Sequence, residues 1–279
     1  MADSSVNEAG GLLGTRGPGR LRWPALVTAL GLLLVAIWPL RAAVFGDQVL
    51  FRRDINMVWL PQLETLLRVA ATPAWPLWDP FGGFGRPLLA DPRVEALYPP
   101  TWLNLLLMPG GYYTVFCVAH LFLAGLGLYL LARSWGCARV AAFAGGALFA
   151  AAGPLLSLAS MWHHLAGAAW IPWLFLALER LLRRRRALDG VLFGLAFALH
   201  VFAGSPDYTA LTVPALVLYG LWPGRPEPLL RRAGLVGAAL ALGLLLAAVQ
   251  WLPTLFWARA SHRSETPRAS RVLWSQPPV

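Results

Sequence analysis

A chain of 279 residues that is 58% apolar and only 13% charged lies outside the range of soluble globular domains and reads as a polytopic membrane protein. Its 23 basic residues against 13 acidic ones would suggest nucleic acid in a soluble protein. Here every one of them is Arg and they gather at the ends of apolar runs, which points away from a nucleic-acid partner. The two cysteines, Cys117 in an apolar run and Cys137 in a short polar turn, offer neither a disulfide framework nor metal-ligand spacing.

Residues 1–22 are rich in Gly, Ser and Arg without hydrophobic periodicity and read as a disordered tail closed by Arg16, Arg20 and Arg22. Pro24 to Leu40 is apolar throughout, near the lower limit for crossing a hydrocarbon core of about 30 Å. Trp38-Pro39 and Arg41 stand where a signal peptide would carry a small-residue cleavage pattern, so this run is expected to be an uncleaved first span. Six more are expected over 112–132, 140–160, 165–182, 190–203, 208–222 and 233–257. The fold class is therefore all-α polytopic membrane protein with about seven transmembrane helices. Its divisions are a cytoplasmic tail over 1–22, a transmembrane domain over 23–258 with a first extracytoplasmic loop over 46–111, and an extracytoplasmic C-terminal segment over 259–279.

Orientation follows from the arginines, which are retained on the cytoplasmic side when they flank short loops. With the N-terminus inside, that side holds Arg133, Arg139, Arg180, the run Arg183 to Arg186, Arg225, Arg231 and Arg232, and the large loop is outside. Arg259, Arg263, Arg268 and Arg271 fall outside, against the rule, so an even number of spans is the alternative. The four-arginine run is most simply a topology anchor, with an anionic lipid or partner site as the other reading.

In the loop, Ile55, Trp59, Leu63, Leu66, Leu67 and Ala70 recur at helical spacing, with Asn56, Gln62, Glu64 and Arg68 on other faces. This predicts an amphipathic interfacial helix that starts or bends at Pro61, which lacks an N–H. Trp102 to Met108 is too short to span and is read as lying on the membrane or dipping into it. Between these, Trp75 to Pro100 carries Asp79, Arg86, Asp91, Arg93 and Glu95 among tryptophans, glycines and prolines.

Ionisable groups near a bilayer are costly, so each needs a reason. Asp54, after Arg52 and Arg53, is either a general base at the membrane surface or a helix N-cap and arginine partner. Asp91 precedes Pro92, which restrains it to an extended backbone. It is either a fixed carboxylate for a sugar hydroxyl or metal, or an ordinary turn residue, and Asp79 has the weaker form of the same claim. Phe81-Gly-Gly-Phe-Gly permits close backbone approach but is no nucleotide fingerprint. Arg86 and Arg93 are candidates for a phosphate, since a guanidinium offers a planar fork of donors; solvated arginines are the alternative. His163 and His164 are adjacent, so they are not expected to share one helix face or form a two-ligand metal site, and a single phosphate or hydroxyl contact suits them better. His120 and His200 are expected to bond neighbouring helices. Asp207, after Gly204-Ser-Pro, is a cap or a ligand.

The string Pro-Leu-Trp-Asp-Pro-Phe-Gly-Gly-Phe-Gly-Arg-Pro-Leu-Leu-Ala-Asp-Pro, followed by Leu-Tyr-Pro-Pro, resembles the first outer loop of the bacterial YfhO-like membrane proteins. Asp54 with Leu60-Pro61, Gly125-Leu-Gly-Leu-Tyr129, Trp170-Ile-Pro172, Ala203-Gly-Ser-Pro206 and Gln250-Trp-Leu-Pro253 followed by Ser261 and Arg263 extend the resemblance over roughly 25–265. That family is similar to the C-type glycosyltransferases, which take a sugar from a polyprenyl phosphate carrier on the outer face. The resemblance implies a bacterial inner-membrane enzyme that moves such a sugar to a cell-envelope glycan or lipid acceptor. Asp54 would be the base, with Asp91 secondary, and Arg86, Arg93 or His163 would offset charge on the departing lipid phosphate. No nucleotide or soluble cofactor is implied, and ligand spacing does not support a divalent metal. Two departures stand out. Gly204-Ser-Pro-Asp207 replaces the usual Gly-His-Pro-Gln, and family members are usually longer, so the chain reads as an N-terminal portion that a second chain would complete. A non-catalytic lipid-linked glycan binding or transport protein is the rival reading.

Overall fold

The computed structural model describes residues 23–46, 48–50, 54–73, 77–82 and 84–261. The expected N-terminal tail, Arg52 and Arg53, Trp75, and the C-terminal segment from 262 onward lie outside these residues. The described chain is mostly helical: α1 Trp23–Ile37, α2 Arg41–Phe45, α3 Leu60–Ala70, α4 Pro109–Ser134, α5 Arg139–Ala150, α6 Gly153–Ser157, α7 Trp162–Arg184, α8 Ala187–Phe202, α9 Pro206–Leu221, α10 Leu229–Leu246 and α11 Ala248–Ala260. One two-stranded antiparallel hairpin, β1 Trp78–Asp79 and β2 Arg86–Pro87, pairs Trp78 with Pro87 and Asp79 with Arg86.

Among the described residues, five stretches are long and apolar enough to cross a membrane: Ala25–Phe45, Pro109–Ser134, Arg139–Ser160, Trp162–Arg184 and Leu229–Leu246. A helix satisfies its backbone groups internally, which is what an apolar run needs in lipid. Leu30, Leu34, Leu148, Leu218 and Leu245 point outward from this bundle, as expected of a multi-pass membrane protein. α8 and α9 are 16 residues each, about 24 Å at 1.5 Å per residue. The run expected as one span over 233–257 is two helices that meet at Ala247.

Helix contacts follow from small residues. A Cβ on Gly125 would stand 2.9 Å from the carbonyl oxygen of Gly146, and one on Gly146 would stand 2.5 Å from that of Gly125. Two missing side chains let α4 and α5 cross with their backbones touching. α7 is the most enclosed of the long helices; Trp173 Nε1 donates to the Leu123 carbonyl at 2.9 Å and ties it to α4.

The loop folds onto one end of this bundle. Ile55–Trp59 forms a π-helical turn that runs into α3, with Pro61 at its start, as the sequence predicts. Ile55, Trp59 and Leu63 pack on Tyr98, Tyr112 and Tyr113, and Trp59 stacks on Tyr112 at 6.0 Å. Leu66 packs on Leu88, Leu89 and Val94. Gln62 departs from the expected pattern: it is buried rather than on the polar face, because it bonds the carboxylate of Asp91. At the loop's edge Leu105, Leu106 and Met108 are left exposed.

Candidate functional site

The site begins with a tight turn around Asp91. Asp91 is extended (φ −82°, ψ 105°) ahead of Pro92, and its Oδ1 accepts the backbone N–H of Arg93 at 3.1 Å, capping the 3-10 turn Pro92–Val94. The Arg93 side chain then folds back as a fork, Nε to Oδ1 at 3.0 Å and Nη2 to Oδ2 at 2.8 Å. Gln62 Nε2 adds a third side-chain donor at 3.3 Å from Oδ2. Both oxygens of this buried carboxylate are therefore engaged in holding Arg93 and Gln62, and Nη1 of Arg93 is the guanidinium nitrogen outside these contacts. The bond to Asp91 pushes the arginine's pKa further up, so its charge is permanent.

Behind this turn the hairpin is held by a second pair. Arg86 Nε donates to Asp79 Oδ2 at 2.9 Å, while the N–H groups of Phe81 and Gly82 bond Oδ1 at 2.9 and 3.2 Å. Burial alone would raise the Asp79 pKa, but these donors outweigh it and hold the carboxyl below its usual value. Arg86 Nη1 also reaches to 4.0 Å from Asp91.

Three further segments close around Arg93. Trp162, the first residue of α7, donates from Nε1 to the Arg93 carbonyl at 2.9 Å. Gly204 lies at φ +80°, and a Cβ there would stand 2.3 Å from the Pro92 carbonyl oxygen, so only glycine lets the turn before α9 press against the loop. Ser205, beside it, is buried and places Oγ 2.7 Å from His164 Nδ1. α11 supplies the last wall; its Gln250 Nε2 donates to the Leu89 carbonyl at 2.9 Å.

These segments enclose a cavity of about 610 Å³ lined by Asp91, Arg93, His163, His164, Asp207, Thr254, Trp257 and Ser261 among others. Five residues singled out in the sequence, Asp91, Arg93, His163, His164 and Asp207, thus share one space. Adjacent His163 and His164 were not expected to act together, yet both line it with ring centroids 4.2 Å apart. They sit in the first turn of α7 rather than in a loop, where consecutive side chains fan across an open helix end. Arg86 stands behind Asp91 instead of on the wall. Asp54 is exposed at the start of the Ile55–Trp59 turn, makes no capping hydrogen bond and does not line the cavity. His200 bonds the Gly167 carbonyl of α7 at 3.1 Å, the expected tie to a neighbouring helix, whereas His120 bonds the Tyr98 hydroxyl of the first loop at 2.7 Å.

His163 is buried, and its Nδ1 has no partner. A buried polar nitrogen without a partner is costly, and the ring that carries it lines the cavity. Arg93 is the cationic group on this wall, while exposed Asp207 and half-buried His164 are the groups able to take a proton there. Among the described residues, no three His, Cys, Asp or Glu side chains gather as a metal site. Thr254, Trp257 and Ser261 were not singled out as site residues; the only trace of them was the Gln250-Trp-Leu-Pro253 and Ser261 string, since α11 reaches the loop across a separation of 161 residues. Comparison with protein-family models, with curated proteins and with solved structures finds no match to this chain.

Proposed function

We propose that the chain binds a polyprenyl phosphate-linked sugar in the cavity between the loop and α7, and transfers that sugar to an extracytoplasmic cell-envelope acceptor. The observation that carries this reading is the convergence of Arg93, His163, His164 and Asp207 on one cavity at the loop end of a membrane bundle. Asp91 and Pro92, at the end of the first loop string that resembles the YfhO-like proteins, line the same cavity, which supports the C-type glycosyltransferase-like reading. In it the topology has seven spans with the N-terminus cytoplasmic, and α3 rests at the bacterial inner membrane's outer interface.

In the proposed chemistry the Arg93 guanidinium, through the N–H groups that Asp91 leaves over, offsets charge on the departing phosphate, and His163, which burial keeps neutral, contacts it as a hydrogen-bonding group. The acceptor hydroxyl must lose a proton. Asp54 was the first candidate from the sequence, but Asp207 and His164 are the groups with access to the cavity, so the proton acceptor is assigned to that pair unless the acceptor enters from the side of Asp54. Asp91 positions Arg93.

The rival, a non-catalytic binder of lipid-linked glycan, draws on one observation: the two carboxylates first assigned to chemistry are either engaged on both oxygens or outside the cavity. Membranes containing the full chain, supplied with radiolabelled polyprenyl phosphate hexose and envelope acceptor, separate the two. Transfer lost on Asp207→Asn or His164→Gln with carrier binding retained supports the enzyme. Carrier binding without transfer in the unaltered chain supports the binder, and absence of carrier binding sinks both.

A further inference from the structure

At the opposite end of α7 the helix ends in arginines, and a second cavity of about 560 Å³ opens there among Trp135, Glu179, Arg183, Tyr219, Trp222, Arg225 and Glu227. At its base is Glu179, a buried carboxylate on the last turns of α7. Arg183 Nε donates to its Oε1. Tyr219 Oη and Arg225 Nη2 donate to Oε2 at 2.6 and 2.8 Å. Trp135 Nε1 donates to Tyr219 Oη at 2.8 Å, the Arg225 guanidinium lies 4.9 Å above the Tyr219 ring, and Arg185 pairs with Glu227. Each of these three guanidiniums is fixed by one carboxylate contact and has further N–H groups to give. Fixing an arginine in advance removes the ordering cost of its fork when an anion arrives. On the wall Arg183 and Arg225 balance Glu179 and Glu227, and Arg185 beside it, with exposed Arg184 and Arg186, makes this end of the bundle net positive.

We infer that this cavity seats the phosphodiester headgroup of an anionic phospholipid. A lipid rather than another source is favoured by position: the cavity lies where apolar helices end, and Trp222 and Trp135 stand 65% and 47% exposed beside it, as rings do that rest at headgroup level. Arginine clusters at this depth attract anionic lipid. The inference does not depend on the function proposed for the other cavity.

The test uses the full chain in nanodiscs of phosphatidylcholine with phosphatidylglycerol, and counts retained phosphatidylglycerol by native mass spectrometry. Arg183→Gln removes one fixed fork while Glu179 keeps Arg225 and Tyr219, and Arg139→Gln removes an equal charge at the same end but off the cavity. Phosphatidylglycerol retained over phosphatidylcholine should fall about fivefold in Arg183→Gln. At about 0.5 M salt, where screening shortens to roughly 4 Å, the difference between the two variants should persist. Should Arg183→Gln lose its helical spectrum, Trp222→Ala, at an exposed ring, is expected to lower retention by about threefold. Equal losses in Arg183→Gln and Arg139→Gln, or no preference for phosphatidylglycerol, would overturn the site. So would displacement by millimolar inorganic phosphate, which would make the occupant a free anion.

Discussion

Ser205 Oγ lies 2.7 Å from His164 Nδ1, across the junction of α7 and α9. This contact fixes the ring that faces the cavity, and it uses Ser205, one of the two residues at which the chain departs from the Gly-His-Pro-Gln string. Ser205→Ala should therefore release His164 without altering the cavity wall, since Ser205 itself is buried behind it. The expected stability loss is about 1 kcal/mol, the net worth of one hydrogen bond, read as a lower melting temperature in detergent. Carrier binding should weaken as well; unchanged melting and binding would mean the contact orients nothing.

Gly204→Ala should be far more damaging. The added Cβ would meet the Pro92 carbonyl oxygen at 2.3 Å in a backbone with φ +80°, and neither the left-handed conformation nor a backbone oxygen gives way cheaply. A loss of about 2 kcal/mol or more is expected, with poor recovery of folded protein. Because Pro92 lies between Asp91 and Arg93, any folded fraction should also bind anions weakly. Normal yield and melting would show that the α9 turn does not press on the loop.

Asp91→Asn and Asp54→Asn separate scaffold from chemistry. Asp91 is 2% exposed and anchors the Arg93 fork, so its loss should cost about 1–3 kcal/mol, moderated because the Arg93 side chain is 40% exposed and can turn to water. Asp54 is exposed, and its amide should leave stability within about 0.5 kcal/mol. Loss of sugar transfer in stable Asp54→Asn would restore Asp54 as the base and require an acceptor path from its side. Transfer at full rate would leave the role to the cavity's own groups.

The parts of this arrangement that lie close in sequence were legible there. Apolar runs between arginines marked the long helices, Pro61 marked the start of α3, and Asp91-Pro92 marked a restrained carboxylate, because each depends on a few neighbouring residues. What was not legible depends on distant ones. Gln62 looked like a solvent-facing residue because its partner Asp91 is 29 residues away. The histidine pair looked split between faces until Trp162, bonded to a carbonyl 69 residues back, fixed where α7 begins. The break at Ala247 has no proline or glycine at it to announce it; α11 instead turns to give Gln250 to Leu89.

Glu95 carries a pH dependence that no local pattern suggested. Its carboxyl is buried, with Thr101 Oγ1 donating to Oε2 at 3.3 Å and Oε1 without a partner. Burial raises its pKa well above the usual carboxylate range, and the Thr101 bond opposes this only in part. The folded state therefore keeps a proton that the unfolded chain releases near pH 4.3. Stability from this group is full below that pH and falls as pH rises toward the folded pKa, by no more than about 1.4 kcal/mol per pH unit. Asp79 acts in the opposite sense, through a depressed folded pKa, so its contribution is lost only in acid, below the window where Glu95 acts. Glu95→Gln keeps the shape and the Thr101 contact while removing the ionisation. Melting temperatures of the two proteins should coincide near pH 4 and separate up to pH 8, with the glutamine variant the more stable. Parallel curves over that range would mean that Glu95 ionises in place, and that the loop around it admits water.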